Sequence, residues 1–232
     1  MTALLVLPDG REIYSGEVGQ DAILRLTLTA GVNDTRELTL GSVCAAMLEA
    51  ELLIPSGELG LTAGEEVTLY WVTGKNREKA GIFVADKPEK TGNCTYSLTA
   101  FDRVSLLDKD VTQWLEGLQD WPYALLDFGK LVCRHCGVEL ANTEIPNGDY
   151  QVQKFTARGI TGRQLLFWVG EAACRFLRAT PEGALLLDWY TPAEKTVSAS
   201  GEDFYYQDTL TYSDYRTAPI HRVQLRFDEK DV

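Results

Sequence analysis

The chain has 232 residues, 45% of them hydrophobic and 24% charged, with a formal net charge of −12 and a pI near 4.7. That length can bury one large or two small cores, and the acidity excludes backbone-tracking or sequence-specific nucleic-acid binding, which needs clustered Lys and Arg. No apolar run approaches the roughly 20 residues that cross a bilayer, and five cysteines without regular spacing argue against a secreted disulfide framework and for folding in a reducing cytoplasm.

The first hundred residues pattern as β-structure. Met1-Thr-Ala-Leu-Leu-Val-Leu-Pro8 lacks a basic n-region and ends its apolar run at Pro8-Asp9-Gly10, so it reads as a first strand rather than a signal peptide. Ala3–Leu7 and Arg11–Tyr14 flank Asp9-Gly10, a pair that tolerates positive φ, and the three together predict a hairpin. Leu24, Leu26 and Leu28 alternate with polar residues as in a half-buried strand. Gly31 to Asp34 predicts a turn, and Glu37–Leu40 an extended segment. Ala46–Ile54 has helix-favouring composition, but its neighbours and the Pro55-Ser-Gly57 stop favour a strand. Val67, Leu69 and Trp71 alternate next, then Gly81–Ala85 follows a Gly-Lys-Asn turn, and Tyr96, Leu98 and Ala100 alternate in turn. Six or seven short strands with turns every 8–15 residues predict a barrel or sandwich.

Helical periodicity is confined to about Ala100–Thr180. Phe101–Asp108 reads as a tight, partly 3₁₀ exit from the last strand. Pro122 at N1 and Gly137 at C′ bracket a helix with Leu125, Leu126, Phe128, Val132, Cys133 and Cys136 on one face. Val138–Leu140 and Tyr150–Val152 predict short strands. Thr161–Arg178 predicts a second helix opened by a Thr161/Gln164 capping box. Its apolar arc holds Leu165, Leu166, Trp168, Val169, Ala172, Ala173, Phe176 and Leu177. Phe167, Gly170 and Cys174 form a second apolar strip on the opposite face, which implies packing by a second sheet or by another subunit. After Thr180 the alternation returns at Leu185–Trp189, Thr209–Tyr212 and Val223–Phe227. These strands are too few to close a barrel alone. They either complete another sheet or mark where a longer protein was cut.

Candidate chemistry is sparse. Cys133-Arg-His-Cys136 lacks a second ligand pair for a metal. It also falls at a helix C-terminus rather than at the N-terminus that lowers a thiol pKa, so the pair reads as packed core. His135 reads as a surface residue, and with His221 it is the whole histidine supply. The carboxylate neighbours Asp108/Asp110, Glu65/Glu66 and Glu202/Asp203 could in principle support glycosidase chemistry, but 34 acidic residues make such pairs by chance. No Gly-x-Ser-x-Gly elbow, His-Glu-x-x-His motif or Gly-rich phosphate loop occurs. No catalytic, cofactor-binding or metal-ligating residue is assigned.

The order of parts does carry a resemblance. Leu98-Thr-Ala-Phe-Asp102-Arg with Leu106-Leu-Asp-Lys, the turn Cys136-Gly137-Val138, extended Tyr150-Gln-Val152, the Thr161–Leu166 helix start, the strand Gly183-Ala-Leu185 and the closing Leu210-x-Tyr-Ser-Asp-Tyr215 with Pro219-Ile220 and Val223 resemble long-tailed phage and prophage baseplate hub proteins. These are tail-associated proteins that resemble the hubs of contractile injection systems.

The resemblance implies an α+β fold: mainly antiparallel barrel-like domains with an α/β insert carrying two principal helices, the second barrel incomplete. Residues 1–100 would form the first barrel, 101–180 the insert and 181–232 strands of the second barrel. It also implies a non-enzymatic structural protein of the virion tail, assembled in the host bacterial cytoplasm. Three copies would form a ring-shaped hub that adapts a six-fold tail tube to a three-fold tip. Its partners would be tube, distal-tail and tip proteins, with DNA passing through an acidic lumen, and neither cofactor nor membrane span is implied. Other readings are a β-sandwich carbohydrate-binding or adhesin module using Tyr205, Tyr206, Tyr212 and Tyr215, and a cell-wall-degrading phage enzyme. Phe167, Gly170 and Cys174 are the expected subunit interface. Phe167→Asp tests the strip: a second buried face predicts a lowered melting temperature or an altered assembly state, and no change in either disposes of it.

Overall fold

The computed structural model describes residues 2–16, 20–31, 39–55 and 57–189. The fold is α+β. Eight strands come first: β1 (Thr2–Val6), β2 (Glu12–Ser15), β3 (Ala22–Thr29), β4 (Met47–Leu53), β5 (Glu66–Thr73), β6 (Asn76–Ala85), the short β7 (Glu89–Lys90) and β8 (Thr95–Asp102). They run in the order β4-β3-β2-β1-β5-β6-β8-β7, and pairing of β4 with β8 from Met47/Phe101 to Leu53/Thr95 closes seven of them into a barrel. The sheet is mixed, because β2 and β3 run parallel while the other neighbours are antiparallel. A barrel this small is filled by side chains. Leu5, Ile13, Leu48, Leu52, Val67, Leu69 and Leu98 form its interior, each about 1.5–3 kcal/mol of burial.

The predicted β1–β2 hairpin forms, with Gly10 at φ 85° in its turn, and Ala46–Ile54 contains a strand. In β3 the single row of leucines does not hold. A register shift between Ile23 and Arg25 leaves Leu24 53% exposed, while Ala22 and Ile23 take the buried positions and Leu26 and Leu28 are half-buried. Residues 32–38, and with them most of the expected turn and extended segment, lie outside the described residues.

The insert begins directly at the end of β8. A 3₁₀ turn (Arg103–Asp108) is followed by α1 (Thr112–Gly117), β9 (Tyr123–Ala124), α2 (Leu125–Cys136), β10 (Gln151–Val152), α3 (Gly162–Ala173), β11 (Phe176–Ala179) and β12 (Leu185–Asp188). Its own core contains Val104, Leu107, Leu115, Phe128, Val132, Leu165, Leu166, Val169, Leu177, Leu185 and Leu187. The expected strands at Thr209–Tyr212 and Val223–Phe227 lie outside the described residues.

Both helix boundaries need correction. Pro122 is not at N1. The Trp121–Pro122 peptide is cis, and Tyr123–Ala124 pairs with β10 before α2 starts at Leu125. The first-turn amides of Leu125 and Leu126 donate to the carbonyls of Tyr150 and Gly148 at 2.9 and 3.1 Å, so a neighbouring loop replaces the missing side-chain cap. Gly137 does end the helix, at φ 86°. At the α3 start Thr161 is the N-cap as expected, its Oγ1 accepting from the Gln164 amide at 3.2 Å, which is the Thr161 half of the capping box. Its end is not: a Schellman-type turn closes α3 at Ala173, with the Cys174 and Arg175 amides donating to Glu171 and Gly170 carbonyls at 3.1 and 2.8 Å. Phe176 and Leu177 are therefore strand residues, and Trp168 and Ala172 sit on the exposed side of α3. Of Val138–Leu140, Leu140 alone pairs, in a single parallel bridge to Leu185.

Glycines set how closely the parts approach. A Cβ on Gly170 would stand 2.9 Å from Gly41 Cα and 3.0 Å from the Arg175 carbonyl oxygen, with backbone on both sides and nothing able to yield cheaply. Gly170→Ala is expected to destabilise by about 1–3 kcal/mol, which thermal denaturation would show as a clear drop in Tm; an unchanged Tm would mean that this contact does not constrain the fold.

Candidate functional site

The site with the most structural consequence is the junction between barrel and insert, and Asp102 is its centre. Asp102 is 7% exposed. Its amide donates to the Ala46 carbonyl at 2.9 Å, Oδ2 accepts from the Ala46 amide at 3.0 Å, and Oδ1 accepts from the Val104 amide at 3.0 Å. One side chain thus caps the 3₁₀ turn and holds the lead into β4 against the end of β8. Burial pushes the Asp102 carboxyl above the ordinary carboxylate range, and the two amides oppose that rise.

Two arginine forks flank it. Arg103 donates through Nε and Nη2 to Glu66 on β5, both at 2.7 Å. The same guanidinium lies where a Cβ on Gly183 would come within 2.9 Å of Nη1, so Arg103 connects the barrel wall to the β11–β12 turn. Arg163, in the first turn of α3, donates to Asp108 through Nε at 2.5 Å and Nη2 at 2.9 Å, and its Nη1 donates to the Val43 carbonyl. The Asp108 hydrogen bonds raise the Arg163 pKa above its usual value.

Backbone pairing completes the junction. Gly41 donates to the Arg175 carbonyl and Leu177 to the Ser42 carbonyl, both at 2.8 Å, and Val43 pairs parallel with Leu177. The segment before β4 therefore serves as an extra strand beside β11. On the far side of β12, Asn142 imitates a strand neighbour, its Nδ2 donating to the Leu187 carbonyl at 2.9 Å and its Oδ1 accepting from the Leu187 amide at 2.8 Å.

Of the strip expected on α3, Gly170 is buried under Gly41, Phe167 is half-buried against the insert core, and Cys174 is exposed at φ 51° as the helix C-cap. The covering on one side comes from this chain's own segment 41–43.

The chemical candidates have structural occupations. Cys133 and Cys136 are both buried, and burial pushes the Cys133 thiol up to about 12 and raises that of Cys136. Cys136 packs on Gly162, where a Cβ would come within 2.6 Å of its sulfur. His135 is not a plain surface residue: it is half-buried and stacks on Trp114, with ring centroids 4.6 Å apart. Burial, and then the Lys109 charge, lowers its pKa. Asp110 accepts from the Thr112 amide at 2.8 Å, and Glu65 accepts from Thr62 at its amide (2.6 Å) and its hydroxyl (3.0 Å). Glu202/Asp203, His221 and the four tyrosines named for glycan binding lie outside the described residues. Among the described residues no group of three or more His, Cys, Asp or Glu could hold a metal. The same residues contain no helix long and apolar enough to cross a membrane.

Sequence reading missed one surface feature. Trp121, Tyr123, Phe128, Phe155 and Trp168 form a chain of ring contacts with centroids 4.9–6.1 Å apart, leaving Trp168 42% exposed. No spacing rule joins residues from so many separate segments.

No protein-family model and no curated protein matches the chain. Two solved structures share its fold. The 43 kDa tail protein of prophage MuSo2 from Shewanella oneidensis has a TM-score of 0.53 at 14% identity, covering 81% of this chain and 54% of that protein. The tail protein from Neisseria meningitidis MC58 has a TM-score of 0.52 at 15% identity, covering 87% of this chain and 55% of its own. This chain spans about half the length of each.

Asp102→Ala is expected to leave the Ala46 and Val104 amides without an acceptor, at about 1–3 kcal/mol for each one kept from water. Chemical denaturation would show a lowered midpoint. Equal stability of variant and parent would remove Asp102 from its assigned role.

Proposed function

We propose that this chain is a structural protein of a phage or prophage tail tip, without catalytic activity. The observation that carries the reading is the shared architecture: one closed barrel followed by an insert with two principal helices, aligned over 81% and 87% of this chain with two tail proteins. In the finer form of the reading, three copies form a ring-shaped hub that adapts the six-fold tail tube to a three-fold tip. Residues 1–100 supply the first barrel of each copy, 101–180 the insert, and 181–232 strands of a second barrel-like domain.

Tube, distal-tail and tip proteins are the neighbours, the mature location is the virion tail, and assembly takes place in the host bacterial cytoplasm. A net charge of −12 suits a lumen through which DNA passes without being gripped. The face of α3 around Phe167, Gly170 and Cys174 is the proposed subunit contact. Since Gly41 already covers Gly170, a neighbouring copy would touch the exposed Cys174 and the open side of Phe167.

The fixed scaffold at the junction supports this reading. A hub transmits load between symmetric partners, and a barrel tied to its insert through Asp102, Arg103 and Arg163 keeps a constant shape under it. An epitope-tagged copy expressed from its genome of origin is expected to co-purify with tails at three copies per particle, measured by quantitative mass spectrometry against the tube subunit. Complete tails assembled after deletion of the gene would overturn the proposal.

A further inference from the structure

The chain is strongly acidic, yet it carries one dense run of cations. Lys75-Asn-Arg-Glu-Lys79 places three basic residues within five positions. The structure puts that run at the tip of the β5–β6 hairpin, where Thr73 pairs with Asn76 and Gly74, at φ 61°, makes the turn. Residues 73–78 are all exposed. Arg77 is held by Glu12, with nitrogen–oxygen distances of 2.6 and 3.0 Å, which leaves Lys75 and Lys79 as the outward charges of the tip. β6 pairs with β8 only from Phe83 to Ala85, so its first half, Asn76–Ala80, stands clear of β8. The hairpin therefore projects past the Asp102 end of β8, beyond the rim of the barrel on that side.

An acidic counterpart lies across the barrel. Glu49 and Glu51 project outward from β4, and three of their four cross-strand neighbours are short Thr or Ser side chains. Cross-strand pairing sets Glu49 between Thr27 and Thr99, and Glu51 between Arg25 and Ser97. With Thr91 at one side, these residues line a groove of about 350 Å³. The Thr and Ser side chains make it concave, and the two carboxylates outnumber the single Arg25. Around the closed barrel β5 is three strand steps from β4 through β8 and β6, and four through β3, β2 and β1. The basic tip and the acidic groove are thus on opposite sides of one barrel.

We infer that the β5–β6 tip of one copy docks into the Glu49/Glu51 groove of a second copy of this chain. Complementary patches on opposite sides of a protomer cannot form a two-fold pair that satisfies itself. They make a head-to-tail contact that repeats until it closes into a ring. The occupant is a second copy because the tip and its complement are both on this chain, with opposite charge and matching scale. This inference rests on the assembly reading above and names a contact that such a ring would use. Lys75 and Lys79 form ion pairs with Glu49 and Glu51, and because the pairs are exposed the contact weakens as salt rises.

Charge reversal tests it on the full chain by analytical ultracentrifugation at low ionic strength. The wild type is expected to self-associate, and less so at high salt. Lys75→Glu with Lys79→Glu, or Glu49→Lys with Glu51→Lys, is expected to weaken association by roughly tenfold or more, the equivalent of about 1.4 kcal/mol. An equimolar mixture of the two variants regains association, because each supplies the complement the other has lost. Circular dichroism confirms the fold of each variant, and Lys75→Glu alone replaces the double change if Lys79 proves necessary for folding. Three results would overturn the inference: a monomeric wild type, a folded variant that associates like the wild type, or a mixture that fails to recover. Loss of the chain from purified tails would instead sink the parent reading, and unperturbed tail incorporation by both variants would sink the docking contact alone.

Discussion

A buried carboxylate that accepts two backbone amides is the constraint on which the rest of this structure depends. A closed barrel has no edge strand to which a following unit can be added, so an insert must attach where the chain enters or leaves. Asp102 is at that exit, and its Oδ2 bond to the Ala46 amide also fixes the entry into β4. The cost of burying the charge is offset because both oxygens are occupied by donors. Once Ala46 is held, residues 41–43 are positioned to run beside β11, and barrel and insert share a stretch of backbone. They form one compact body rather than two units on a tether.

That shared stretch explains the small residues around it. Gly41 and Gly170 face each other where the segment crosses α3, and Gly162 admits the Cys136 sulfur where α3 begins. Side chains at these positions would push α3 off both the segment and α2. The arginine forks then act over longer reach. Arg163 spans from α3 to the 3₁₀ turn and to Val43, and Arg103 from β5 to the Gly183 turn. Each is partly exposed, so its worth lies in bidentate geometry more than in Coulomb energy. Together they restrict how the insert can tilt on the barrel.

Much of the barrel was legible in the sequence because period-two alternation reports a half-buried sheet directly. It marked β5 and β8, and the Asp9-Gly10 turn marked the first hairpin. Closure was not legible, since the β4–β8 pairing joins residues about fifty positions apart and no local pattern encodes it. Helix ends misled for physical reasons. Phe176 and Leu177 fit the helical arc by angle, but the Cys174 turn reverses the chain before them and they are buried as strand residues instead. Pro122 fits an N1 position by type, whereas the α2 amides find partners in the loop at Gly148 and Tyr150. At the junction, Asp102 and Arg103 stood out only within the phage-hub resemblance. Their partners, Ala46 and Glu66, are remote in sequence and carried no signal.

The reactive groups of this chain divide unevenly between inside and outside. Asp108 is taken by Arg163, Glu66 by Arg103, Glu65 by Thr62, and the Cys133 and Cys136 thiols by apolar packing. Each of these groups has a structural occupation, as an ion-pair partner, a turn acceptor or part of an apolar core. Lys75 on the hairpin tip and Glu49 and Glu51 on the β4 face point outward into solvent. The polar groups around Asp102 thus lock barrel and insert together, and these exposed charges take no part in that lock.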